Sequence, residues 1–163
     1  MKDNLAICPG SFDPVTIGHL DIISRSAKMF GKVVVVVMTN PNKSSGSFTV
    51  EERVQMIKKA VADIPNVEVD QYEGLLADYA ARKNAKAIIK GLRAVTDFEY
   101  EFQMALANKK LNPDVETLFL TTSAENMYLS SSMIKQIASM GGDISDFVPA
   151  VIHEDIVNRL KKG

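Results

Sequence analysis

The chain has 163 residues, 46% of them hydrophobic, a single cysteine and a formal net charge of −1 from 19 basic and 20 acidic residues. That is enough for one domain over 1–163 with a full apolar core, while the lone Cys8 excludes an internal disulfide and points to a reducing compartment. Near-neutral charge argues against a nucleic-acid partner. With no apolar signal core at the start and no apolar run longer than residues 33–38, the expectation is a cytoplasmic protein without a membrane span.

Residues 7–20 read ICPGSFDPVTIGHL. The stretch leaves an apolar run, passes two prolines and a glycine, and enters helical periodicity, which predicts a strand, a tight loop and a helix start. Open α/β sheets bind ligands at such loops, because free backbone N–H groups and the helix dipole favour anions there. Thr16 is placed to cap the helix, Gly18 leaves the backbone open to close approach, and His19 points to the same place. Taken alone, this short pattern also fits a capped helix with a histidine on its first turn.

Leu20, Ile23, Ala27 and Phe30 follow at helical spacing, with Gly31 as the stop. Residues 33–38 form a continuous apolar run suited to a parallel strand buried on both faces, and 40–47 read as a polar loop carrying Lys43. TVEE at 49–52 matches a capping box, after which Val54, Ile57, Val61 and Ile64 keep helical spacing up to Pro65. A strand over 66–72, a helix over 75–83 and a buried strand over 85–89 come next, the last running into Lys90, Gly91, Leu92 and Arg93. A helix over 96–111, a strand over 115–120, a polar loop through Asn126, a helix opened by Ser130, Ser131 and Ser132, and a terminal helix over 149–160 complete the chain. Right-handed crossovers assemble these into an α/β, Rossmann-like domain with a five-stranded parallel sheet and helices on both faces.

One rim of that sheet then carries two serine- or threonine-rich helix starts, His19, and the cations Lys43, Lys90 and Arg93, a set suited to a ligand with several phosphates. Neither a G-x-x-x-x-G-K-[ST] loop nor a G-x-G-x-x-G turn occurs, which counts against a P-loop ATPase and a dinucleotide-binding dehydrogenase. No cysteine pair or histidine spacing offers a metal site.

PGSFDP at 9–14 with TIGH at 16–19 resembles the opening signature of the nucleotidyltransferase superfamily related to class I aminoacyl-tRNA synthetases, and LSSSMIK at 129–135 is similar to its second signature. Within that superfamily, KGLRAVTDFEYE at 90–101 closely resembles the segment distinctive of the bacterial phosphopantetheine adenylyltransferases, and the likeness covers nearly the whole chain.

The resemblance implies transfer of an adenylyl group from ATP to 4'-phosphopantetheine, giving dephospho-CoA and pyrophosphate by direct in-line attack, with Mg2+ held mainly by the ATP phosphates. It implies catalytic roles for His19, Lys43 and Arg93. ATP would be bound by Ser11, Phe12, His19, Gly91, Leu92, Arg93, Glu101 and the run Asn126, Met127, Tyr128, Leu129, Ser130, Ser131 and Ser132. Phosphopantetheine would be bound by Ser11, Lys43, Leu76, Lys90 and Asn108. A homohexamer and feedback binding of coenzyme A are further implications.

Singly, these residues have ordinary readings: Lys43 as a solvated charge, Glu101 as a helix-surface acid, the serines as caps, Leu76 and Asn108 as packing and turn residues. Jointly they match one template. The chain departs from it at Lys90, where the family usually has arginine, exchanging a bidentate fork for a single ammonium, and at Ser11, where threonine is common. A transferase for nicotinamide mononucleotide or glycerol phosphate, and a non-catalytic sensor of nucleotide or coenzyme A, are the competing readings.

Overall fold

The computed structural model describes residues 3–40 and 46–161. Five strands, β1 (Leu5–Gly10), β2 (Lys32–Thr39), β3 (Val67–Glu73), β4 (Ala87–Leu92) and β5 (Glu116–Thr121), form one all-parallel sheet in the order β3-β2-β1-β4-β5. Six helices connect and cover it: α1 (Ile17–Met29), α2 (Val50–Ala60), α3 (Leu76–Arg82), α4 (Val95–Leu111), α5 (Ser131–Ser139) and α6 (His153–Leu160). This is the α/β class expected from the alternating pattern. Among the described residues, no helix is long and apolar enough to cross a membrane.

The continuous apolar runs become intelligible once the two faces are separated. Successive strand residues point to opposite sides, so Cys8, Val33, Val35, Val37 and Ile89 pack with Ile23 of α1, Ile57 of α2, Ile134 of α5 and Ile156 of α6. Ile7, Val34, Val36 and Ile88 point the other way, against Tyr79 and Ala80 of α3. A sheet buried on both sides leaves no position in β1 or β2 for the polar alternation of a half-exposed strand.

Several boundaries differ from the sequence pattern, among them the terminal helix, which begins at His153 after a 3-10 turn over Ala150–Ile152 and not at 149. Helix α2 stops at Ala60, because the chain folds into a turn in which the Ile64 N–H bonds the Val61 carbonyl; Val61 stays buried although it lies past the helix. Strand β4 continues past Ile89 through Leu92, since Lys90, Gly91 and Leu92 pair with Phe119, Leu120 and Thr121 of β5. Backbone pairing is indifferent to the polarity of the side chain, so a lysine and a glycine could not mark the strand end. Helix α1 ends without a left-handed glycine: Phe30 follows it in an extended conformation, with φ −115°, and its N–H bonds the Ser26 carbonyl.

The order of strands decides where a ligand can sit. The connection leaving β1 feeds α1 on one face, whereas the connection leaving β4 feeds α4, which packs beside α3 on the other. Adjacent strands whose following helices diverge leave a crevice beyond their C-terminal ends. That crevice lies between residues 10–19 and residues 90–101.

Candidate active site

Helix α1 opens with a reciprocal capping arrangement in which histidine takes the place usual for glutamate or glutamine. Thr16 Oγ1 accepts from the His19 N–H at 3.2 Å, and His19 Nδ1 accepts from the Thr16 N–H at 3.0 Å. A ring nitrogen that accepts a backbone N–H carries no proton itself, so the neutral imidazole holds its proton on Nε2. The ring is braced edge-on by Phe12, with centroids 5.0 Å apart and planes at 72°. Phe12 is itself buried and turned to a φ of 49°. Burial, and then the positive charges of Arg93 and Lys90, push the His19 pKa down to about 4. At neutral pH it is therefore an uncharged N–H donor.

Two cavities open side by side along the crevice. The first, of about 430 Å³, is walled by Ser11, Phe12, Gly18 and His19 from the first loop, by Gly91, Arg93, Asp97 and Glu101 from β4 and α4, and by Asn126, Leu129, Ser130 and Ser131 ahead of and within α5. Arg93 closes it by donating from Nη1 to the Leu129 carbonyl at 2.8 Å, while its Nε lies 3.3 Å from Asp97 Oδ2. Ser130 caps α5 by accepting from the Met133 N–H at 3.1 Å. Ser131 donates to the Pro14 carbonyl at 2.8 Å, which ties that helix start to the first loop.

The second cavity, of about 1020 Å³, runs between the α2 side and α4 and is lined by Met38, Phe48, Leu75, Leu76, Met104, Ala105, Asn108 and Leu111 among others. It is long and predominantly apolar along α4. Pro9, Gly10, Ser11, Lys90 and Glu101 belong to both cavities. Lys90 and Glu101 form an ion pair at that junction, with Nζ 3.4 Å from Oε2.

Most of the residues expected to hold a nucleotide thus meet around the first cavity, and Leu76, Lys90 and Asn108 meet around the second. Leu92, Met127, Tyr128 and Ser132 do not line the first cavity: Tyr128 packs edge-on against Phe147 with centroids 6.1 Å apart, and Met127 is half exposed. Lys43 lies outside the described residues. Cys8 forms part of the first cavity wall but is 3% exposed, and burial pushes its thiol up to about 12, so it is an inert part of the core. Among the described residues, no group of three or more His, Cys, Asp or Glu is placed to hold a metal ion.

Sequence reasoning passed over Asp97 and Thr122 as cavity residues, and over the buried partnership of Asp13, Arg53 and Lys135. For the partnership a signal existed, an acid in the first loop and a base four residues past a helix cap, but nothing in the spacing says that the two meet.

The cytidylyltransferase-like family profile matches residues 7–137. A phosphopantetheine adenylyltransferase of Caldanaerobacter subterraneus subsp. tengcongensis is 58% identical over 159 residues, covering 98% of this chain and 99% of that protein. One of Clostridium tetani is 58% identical over 156 residues, covering 96% and 97%. Among solved structures, the bifunctional NMN adenylyltransferase/ADP ribose pyrophosphatase of Francisella tularensis superposes with a TM-score of 0.73 at 15% identity. That match covers 96% of this chain and 49% of that one, and establishes likeness of fold. Matched along nearly its full length at such identity, the chain belongs to the cytidylyltransferase-like family and, within it, to the phosphopantetheine adenylyltransferases, which are nucleotidyltransferases.

Proposed function

We propose that the chain transfers the adenylyl group of ATP to the phosphate of 4'-phosphopantetheine, producing dephospho-CoA and pyrophosphate in coenzyme A synthesis. The observation that carries this reading is the pair of adjoining cavities. One is polar at its serine- and arginine-bearing end and the other is a long apolar trough, and they share Ser11 and Lys90. ATP in the first and the pantetheine arm in the second would bring their phosphates together at that junction.

In this mechanism a phosphate oxygen of phosphopantetheine attacks the α-phosphorus in line, a new P–O bond forms, and the bond to the bridging oxygen breaks with pyrophosphate leaving. No covalent enzyme intermediate is needed. The attacking phosphate carries nearly two charges at neutral pH and requires no base, so the protein's work is alignment and stabilisation of charge. His19 donates from Nε2 to the α-phosphate, Lys90 and Lys43 offset repulsion between the two anionic substrates, and Arg93 with Ser130 and Ser131 holds the outer phosphates of ATP. Asp97 and Glu101 lie 3.3 and 3.4 Å from their cationic partners. Mg2+ would therefore be carried chiefly by the ATP phosphates.

A homohexamer and feedback binding of coenzyme A belong to the same reading. Support for assembly comes from α4, where Val95, Phe98, Phe102 and Leu106 fall on one face, are exposed, and line neither cavity. Phe98 stacks on Phe102 and meets Phe119 of β5 edge-on, carrying the apolar surface from α4 onto the edge strand. Contiguous exposed apolar surface of this kind marks an interface. Sedimentation should give about six times the 17.9 kDa chain mass, and Phe98→Glu with Phe102→Glu should lower it; a monomer in the unsubstituted protein would refute the assembly.

The test of the activity is pyrophosphate release from ATP and Mg2+ with 4'-phosphopantetheine, nicotinamide mononucleotide or glycerol phosphate as acceptor. Release with phosphopantetheine alone is expected. Folded protein that releases none with any acceptor would overturn the reading in favour of a binding protein.

A further inference from the structure

Set in the wall of the second cavity is a buried ionic cluster that none of the roles above uses. Asp13, 7% exposed, accepts from the Phe48 N–H on Oδ1 and from the Ser47 N–H on Oδ2, each at 3.0 Å. Lys135 Nζ of α5 reaches Oδ2 at 2.9 Å, and Arg53 Nε of α2, also 7% exposed as a residue, lies 3.5 Å from Oδ1. Arg53 then donates from Nε to the Phe48 carbonyl at 2.9 Å and from Nη1 to the Ser11 carbonyl at 3.4 Å. The chain crosses this cluster at Gly46, where any Cβ would collide with the Asp13 carboxylate. A buried guanidinium is tolerated only with its counter-charge and its hydrogen bonds supplied, and Asp13 supplies the charge.

The bond to Ser11 has a directional consequence. The Ser11 carbonyl and the Phe12 N–H belong to one planar peptide and point to opposite sides of it. Arg53 and Asp13 line the second cavity and not the first, whereas Phe12 lines the first and not the second. Holding the carbonyl towards Arg53 therefore turns the Phe12 N–H to the side where His19 presents its own donor. Phe12 sits at a positive φ, a conformation that non-glycine residues seldom adopt and that the surroundings must enforce.

The family resemblance already implies that the backbone at Ser11 and Phe12 holds the α-phosphate; we infer that Arg53, held by Asp13, is the positioning residue that aims the Phe12 N–H there, beside His19. The inference rests on the proposed adenylyl transfer, and assay of the unsubstituted protein decides that reading separately. Arg53→Lys keeps the charge beside Asp13 and loses the fork; Arg53→Met loses both. With ATP and phosphopantetheine, kcat should fall about tenfold in the lysine variant and further in the methionine variant, equivalent to about 1.4 kcal/mol or more in the barrier. KM for both substrates and the thermal midpoint of the lysine variant should hold within about twofold and a few degrees respectively. In the unsubstituted protein labelled with 15N-phenylalanine, the Phe12 amide proton should move downfield on addition of α,β-methylene-ATP, and the shift should be lost in Arg53→Lys. Unchanged kcat in the folded lysine variant, or a parallel loss of kcat, substrate affinity and thermal stability, would overturn the inference. A Phe12 amide indifferent to the nucleotide analogue in the unsubstituted protein would likewise refute the assignment.

Discussion

Replacing His19 by alanine should lower kcat for adenylyl transfer by about 100- to 1,000-fold, the usual effect of deleting one donor to developing transition-state charge, while ATP affinity changes by less than about tenfold. The asymmetry follows from when the interaction is made. A neutral N–H gains little from an α-phosphate already satisfied by water or counter-ion, and more when negative charge builds on the equatorial oxygens as the new bond forms. Single-turnover rates beside calorimetric nucleotide binding would read the two quantities separately; equal turnover in the variant would remove His19 from the mechanism.

The same geometry sets the pH dependence. With its pKa pushed down to about 4 by burial and by Arg93 and Lys90, His19 is neutral above that value, and its donor on Nε2 persists as pH rises through 6.5. The kcat profile should therefore show no fall centred near 6.5 on the alkaline side. The effect on folding has the same origin: between pH 6.5 and about 4 the unfolded chain takes up a proton that the buried ring does not, so stability is fully present above pH 6.5 and is lost as pH falls towards about 4. An alkaline loss near 6.5 that vanishes in His19→Gln would show that an imidazolium acts instead.

The second large effect is expected at the junction of the cavities. Lys90→Ala should raise KM for phosphopantetheine by about 10- to 100-fold, the range for losing a charge-assisted hydrogen bond, with a smaller change for ATP. Lys90 is presented from within β4, so its backbone is fixed by pairing with Phe119, and Glu101 holds its ammonium at 3.4 Å. In the proposed mechanism an arriving phosphate would compete with that carboxylate for the charge. Lys90→Arg should keep or improve phosphopantetheine use, because a guanidinium can serve a phosphate with two parallel donors. Steady-state kinetics with each substrate varied would test this, and an unaltered KM for phosphopantetheine in Lys90→Ala would show that its phosphate is held elsewhere.

Local order carried most of what could be read from the residues alone. The apolar run of β2, the capping box at Thr49 and the loop between Pro9 and His19 each specify their element through interactions a few residues apart, and all three are present as expected. Thr16 as the cap of α1 was also legible; that His19 completes the cap through Nδ1, which is thereby left without a proton, follows from the fold's hydrogen bond. Strand ends were less legible, as at Lys90, because β4 is prolonged by its neighbour and not by its own side chains.

The alternation of strands and helices, the class of fold and the residues that mark the family were all readable along the chain, because periodicity, caps and short motifs are written in near neighbours. Folding is what makes two cavities share one junction, sets Lys90 against Glu101 there, and joins Asp13 to Arg53 and Lys135 from 40 and 122 residues away. Such meetings depend on strand order and on which face each crossover takes, and no spacing along the chain encodes a distance through the sheet.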